Sequence, residues 1–224
     1  MNVLVFDVET TGLLPKSATD DPIYITQLSF VLYDVKHEWL IKTYNAYINI
    51  PEHVTISEKI TQITGIDRKK LNAEGIDIID VLEIFYDAYC RADIIIAHNL
   101  EFDTKVMKLE ANRNYDRLKK KNKEMAPYIV WMFDSIYTKL TNIEMKCTMK
   151  MSKALCNIER VNSRGTYIKF PTLCELYETL FHTKPENLHN SMMDVLVCLR
   201  CYLKMEHNIL ISDSNFSSYI QLSL

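Results

Sequence analysis

No run of about 18 uncharged apolar residues occurs in the 224-residue chain, so no transmembrane helix is expected. The N-terminus has no basic segment and enters an apolar run at Val3, which argues against a signal peptide. The six cysteines, at positions 90, 147, 156, 174, 198 and 201, form no disulfide-like framework and read as reduced thiols in an intracellular setting. Cys198-x-x-Cys201 falls inside a helical pattern and has no second pair at zinc spacing, so it reads as apolar filling. There are only four glycines, and no internal repeat or linker marks a second domain.

What is present is ordinary for a globular protein: 48% hydrophobic and 25% charged residues. The net charge of −3 hides an uneven distribution. Residues 1–104 carry 17 acids against 8 bases, residues 105–169 carry 15 bases against 6 acids, and residues 170–224 carry 6 acids against 3 bases. An acidic part beside a basic part suits a metal site next to a polyanion-binding surface, although charge runs also serve simply to solvate exposed faces.

Val3 to Phe6 reads as a buried strand leading into Asp7-Val8-Glu9. Strand candidates follow at Ile23–Tyr33 and Trp39–Ile50, joined by a turn at Asp34–His37, and the short connections favour antiparallel pairing. Ser57–Ile63 reads as a short helix stopped at Gly65, and Ile78–Arg91 as an amphipathic helix. Asp93–Ala97, with three consecutive isoleucines, has the look of a central strand covered on both faces. Helices are then expected at Glu101–Glu124 and Tyr128–Leu140, and a short strand passing into a helix at Cys147–Leu155. A loop or short hairpin is expected at Asn157–Phe170, a helix starting at Pro171, and a last helix at Ser191–Glu206. The order of the residues beyond is left open.

Asp7 and Glu9, two apart in a strand, share one face of the sheet. Such a pair is either solvated or offset by a cation, and hard divalent ions take oxygen ligands. Asp103 falls in the first turn of the helix after the isoleucine strand, at the strand end where sites form in open α/β sheets; a first-turn acid also complements the helix dipole. Asp194 lies on the face of an almost wholly apolar helix, where a capping role for Ser191 and Asp194 is the competing explanation. His189 precedes that helix, on a lead-in suited to a proton-transfer group.

The segments Phe6-Asp7-Val8-Glu9-Thr10-Thr11-Gly12-Leu13, His98-Asn99-x-x-Phe102-Asp103 and His189-x-x-x-x-Asp194 together resemble the three motifs of the DEDDh 3′→5′ exonucleases. The likeness runs from Val3 to about Met205. Ile63-Thr64-Gly65-Ile66 resembles that family's His-Gly-Ile-Thr loop with Thr64 in place of His, and Lys169–Leu173 resembles the lead into its penultimate helix. The resemblance implies a ribonuclease H-like three-layer α/β/α fold with a mixed five-stranded sheet, an exonuclease domain over 1–207 and a C-terminal tail over 208–224. It implies that Asp7, Glu9, Asp103 and Asp194 hold two divalent cations, Mg²⁺ or Mn²⁺, with His189 as general base. Thr10, Thr11, Gly12, Leu13, His98, Asn99 and Phe102 would then contact the terminal nucleotides, with core packing the alternative for Leu13 and Phe102. The expected partner is nucleic acid with a free 3′ end, DNA favoured over RNA because Asp-Val-Glu-Thr-Thr-Gly is more like the proofreading members. An RNA-directed oligoribonuclease, a binding module without turnover, and a subunit active only with a polymerase are the other readings. No membrane partner is expected. Cys147-Thr148-Met149-Lys150 and the third motif also resemble versions from large DNA viruses.

Overall fold

The fold is given by a computed structural model that describes residues 1–17, 21–185 and 190–223. Strand β1 (Asn2–Thr10) is the centre of a five-stranded sheet of order β3-β2-β1-β4-β5. Its residues alternate between two cores: Leu4, Phe6 and Val8 enter one, Val3 and Val5 the other. Strand β2 (Ile25–Asp34) pairs antiparallel with β1, and the edge strand β3 (Trp39–Tyr47) antiparallel with β2. The connecting turn is made by Asp34, whose Oδ1 accepts the N–H groups of Lys36 and His37 at 2.8 and 3.2 Å.

Two short helices follow, α1 (Glu58–Thr64) and α2 (Arg68–Glu74). Helix α1 ends at Gly65 with φ 70°, a left-handed conformation that glycine adopts without a Cβ penalty. Thr64 serves this loop locally: its hydroxyl donates to the Ile60 carbonyl at 3.0 Å and accepts the Ile66 N–H at 3.1 Å. Helix α3 (Ile78–Tyr89), capped by Asp77, packs Val81, Leu82 and Phe85 against the sheet, and the fully buried β4 (Ile94–Ala97) then runs parallel to β1.

The single helix expected over 101–124 is two: α4 (Leu100–Arg113) and α5 (Tyr115–Lys121). The break at Asn114 has a local cause. Asn114 leaves helical geometry at φ −101°, ψ 11°, and its side-chain amide holds that bend by donating to the Glu110 carbonyl at 3.0 Å and carboxylate at 3.2 Å. The next helix also divides, into α6 (Ala126–Trp131) and α7 (Ser135–Leu140), because Asp134 caps α7 through the N–H groups of Ile136 and Tyr137. Strand β5 (Glu144–Cys147) begins three residues before the expected position and pairs parallel with β4. The turns α8 (Thr148–Met151) and α9 (Lys153–Cys156) lead to an antiparallel hairpin, β6 (Glu159–Asn162) and β7 (Gly165–Ile168).

Helix α10 (Leu173–Phe181) starts two residues after Pro171, because Thr172 and Glu175 form a reciprocal capping box. Helix α11 (Ser191–His207) is capped by Asn190 rather than Ser191. Beyond it, α12 (Asp213–Ser223) forms, and Phe216, Tyr219 and Ile220 pack against the second core. Residues of α3, α4 and α6 thus cover one face of the sheet, and those of α10, α11 and α12 the other, giving the α/β/α arrangement of the ribonuclease H-like fold. Among the described residues no helix is long and apolar enough to cross a membrane.

Candidate active site

The site forms where β1 outruns its parallel neighbour. Pairing of β1 with β4 ends at Val5–Ile96, so the β1 residues beyond have no parallel partner strand. The Val8 N–H instead donates to Asp103 Oδ1 at 3.3 Å, from the first turn of α4. Asp103 is only 2% exposed. By strand alternation Asp7 and Glu9 face the opposite layer, with Val3 and Val5, toward α11. The start of α11 is tied to this point, since the Ser191 hydroxyl donates to the Asp7 carbonyl at 2.8 Å. Asp194, three residues along that helix, thereby reaches the pair. One carboxylate oxygen from each of Asp7, Glu9 and Asp194 lies within 4.8 Å of the others.

Three half-buried carboxylates at that separation, with a buried fourth beside Asp7, repel one another in a medium that screens poorly. Burial pushes the Asp7 carboxyl up to about 7. Burial, together with the charges of Asp7 and Asp194, pushes Glu9 up to about 9. Asp103 is raised well above the usual carboxylate range, by burial first and then by Asp7. Asp7, Glu9 and Asp103 have no ion pair among the described residues. An all-oxygen, multiply charged donor set of this kind fits a hard divalent cation.

His189 lies outside the described residues. The other expected contacts fall into two groups. Thr10 and Thr11 shape the loop after β1: the Thr10 hydroxyl donates to the Gly12 carbonyl at 2.7 Å, and Thr11 Oγ1 accepts the Tyr24 N–H at 3.1 Å. Leu13 then projects into solvent, 82% exposed, which sets aside core packing as its purpose. Thr11, Gly12 and Leu13 line a cleft of about 380 Å³ with Tyr24, His53 and Thr55 on its other walls. Asn99 sits at φ 78° before α4 with its side chain exposed and making no cap. Phe102 is half-buried and packs against the first core, so its apolar contacts are at least partly structural.

His98 faces the protein. Its Nδ1 meets Thr148 Oγ1 at 3.0 Å and its Nε2 meets the Pro171 carbonyl at 3.1 Å, so Nε2 carries the proton and Nδ1 accepts. Burial lowers its pKa to about 4, leaving a neutral ring at pH 7. His98 therefore ties the end of β4 to α8 and to the approach to α10. Neither Ser191 nor Thr148 was singled out in sequence as a positioning group. Their roles depend on hydrogen bonds across 184 and 50 residues of chain, for which no local pattern exists.

Residues 4–202 match the exonuclease family of the RNase T type. The PolC-type DNA polymerase III of Bacillus subtilis (strain 168) is 34% identical over 100 residues, covering 45% of this chain and 6% of the polymerase. That of Caldanaerobacter subterraneus subsp. tengcongensis is 30% identical over 110 residues, covering 49% and 7%. The chain thus spans a small fraction of the polymerases it matches. E. coli exonuclease I, in complex with a dA16 oligonucleotide, aligns with a TM-score of 0.65 at 16% identity, over 97% of this chain and 42% of that chain. At that identity the likeness bears on the fold. With the family match extending over all three motifs, the chain belongs to the DEDD-type exonucleases, built on the ribonuclease H-like fold.

Proposed function

We propose that the protein is a divalent-cation-dependent 3′→5′ exonuclease of the DEDDh type, releasing nucleoside 5′-monophosphates from the 3′ end of DNA. The observation that carries this reading is the convergence of Asp7, Glu9 and Asp194 oxygens within 4.8 Å, with Asp103 beside Asp7. The four carboxylates would hold the cations, Mg²⁺ or Mn²⁺ by the hardness of the donors. Bound there, two cations would lower the pKa of an attacking water and offset charge on the departing 3′-oxygen.

The chain's own groups do the rest. His189, on the lead-in to α11, is the proton acceptor of this proposal, since an imidazole titrates near neutral pH. The loop held by Thr10 and Thr11 offers backbone groups of Thr11 and Gly12 to the terminal nucleotide. The exposed Leu13 side chain packs on bases without discriminating among them. Asn99 offers an amide to the same end, and His98 keeps the motif's backbone in place rather than binding substrate. DNA is favoured because the matching relatives are DNA polymerases and the oligonucleotide bound to exonuclease I is dA16. The polymerase relatives also support a second reading, in which the chain works beside a polymerase.

Incubation with Mn²⁺ and matched 5′-labelled single-stranded DNA, RNA and mismatched duplex tests the proposal. A ladder shortening from the 3′ end of DNA, abolished by EDTA, is the expected result. Preference for RNA would transfer the activity to the oligoribonuclease reading, and no cleavage of any substrate would remove it.

A further inference from the structure

The β6–β7 hairpin has no place in the site described above, and its chemistry is unusual for a surface ribbon. Seven of its eight strand residues are exposed, so neither face buries an apolar core. A two-stranded hairpin with so little to bury is marginal in water on its own. It nevertheless displays Val161 at 79% and Tyr167 at 46% exposure. Its turn is built for tightness: the Arg164 N–H donates to Asn162 Oδ1 at 2.8 Å, and Gly165 follows at φ 119°, which a side chain would resist.

Arg160 stands directly opposite Tyr167 in the register, so guanidinium and ring lie on one face, and Arg164 sits at the tip. Neither arginine has an ion pair among the described residues. The other two arginines of the basic segment are each matched by a carboxylate, Arg113 by Glu110 and Arg117 by Asp77. The ribbon's foot is fixed to the site. The Lys169 N–H closes it onto the Ile158 carbonyl at 3.0 Å, the Lys153 ammonium lies 4.7 Å from the Phe170 ring centre, and the next residue, Pro171, is held by His98.

We propose that this hairpin is a binding arm for the substrate strand, gripping nucleic acid upstream of the 3′ end that the carboxylate site receives. The inference rests on the exonuclease reading for the identity of the strand. Arg160 and Arg164 take phosphates, and Tyr167 stacks on a base, a pairing of cation and aromatic that suits single strands of any sequence. Four residues of strand extend about 13 Å, the length of about four stacked nucleotides. A di- or trinucleotide is shorter than the ribbon and cannot lie along its full length, so its hydrolysis reports chiefly on the catalytic end.

The test measures binding and turnover separately, on the full chain carrying Arg160→Ala, Arg164→Ala and Tyr167→Ala together. In EDTA, fluorescence anisotropy with labelled oligothymidylate of about 20 nucleotides should show affinity reduced about tenfold or more. The slope of log K against log salt should fall by about 1.4, the loss of about two phosphate contacts on a single strand. With Mn²⁺, KM for that oligomer should rise with kcat preserved, while hydrolysis of a trinucleotide stays unchanged. Lysine at both arginine positions should restore the salt slope, and a misfolded variant would reveal itself by losing the trinucleotide reaction. Unchanged affinity and slope would overturn the proposal and leave a protein partner as the ribbon's occupant. Because anisotropy in EDTA needs no turnover, an inactive protein that still loses binding on substitution would sink the exonuclease reading and spare the arm.

Discussion

The acids of the first motif and the bases of α4 and α5 are both concentrations of like charge, and the fold treats them oppositely. Arg113 is held by Glu110 at 3.1 Å, Arg117 by Asp77, and Lys121 by both Asp80 and Glu83. The acids of α3 and its cap thus absorb much of a basic segment whose composition also suits a polyanion-binding surface. Lys108, Lys119 and Lys120 have no ion pair among the described residues. Asp7, Glu9 and Asp103 receive no such compensation, although they are far less exposed. Charge that folding neutralises is explained by stability. Buried charge that folding leaves in repulsion calls for a ligand.

The sharpest way to break this contrast is Asp7→Ala. Nucleotide release should fall by about 10³-fold or more, at least the effect of deleting one charge-stabilising group in an active site, while the thermal transition of the metal-free protein stays or rises. Full activity in that variant would end the cation-site assignment.

A second measurement uses pH. Asp7 and Glu9 have folded pKa values of about 7 and about 9, above their ordinary 3.8 and 4.5. The unfolded chain releases these protons first, so metal-free stability should fall as pH rises from about 4 to about 9. Mn²⁺ should restore it at the upper end of that window. A transition temperature that climbs over this range without metal would contradict the proposed crowding.

Arg113→Ala should cost about 2–3 kcal/mol, less than a fully buried pair because Arg113 is partly solvated. The substitution leaves Glu110 with its Ile25 and Asn114 hydrogen bonds and no counter-charge. Urea denaturation measures this, and a loss under about 0.5 kcal/mol would place Glu110 among protonated acids. The smallest effect belongs to Lys121→Ala, about 0.5 kcal/mol, since the Lys121 ammonium and Asp80 are both exposed and only Glu83 is half-buried. Its nucleic-acid affinity should not change, whereas neutralising Lys119 and Lys120 together should lower the salt slope, and an unchanged slope would return them to the role of solvated surface charges.

The sheet was legible because its signals are local. Three isoleucines mark β4, and alternation on β1 assigns Leu4 and Phe6 to one core and Val3 and Val5 to the other. The helix boundaries were less so. Asn114, Asp134 and Thr172 each override an apolar period with one or two side-chain hydrogen bonds, and periodicity cannot register such a bond. The same limit explains Ser191. It sits where a helix cap would, yet its hydroxyl is spent on the Asp7 carbonyl and Asn190 does the capping. The tail offered no guide at all, because the pairing of Phe216, Tyr219 and Ile220 with the second core involves residues far away in the chain.

Sequence alone determined the chemistry that is available: which residues are acids, that Asp7 and Glu9 share one face of a strand, and that Asp103 and Asp194 stand in the opening turns of helices. These follow from fixed periods of two and 3.6 residues. Only the tertiary structure decided what those groups meet. The early end of β4 frees the Val8 N–H for Asp103, and the Ser191 bond brings Asp194 to Asp7 and Glu9. Folding likewise spent Arg117 and Lys121 on α3 and its cap and left Arg160 and Arg164 in solvent. Coulomb energy depends on distance and burial, and neither is a property of the chain until it folds.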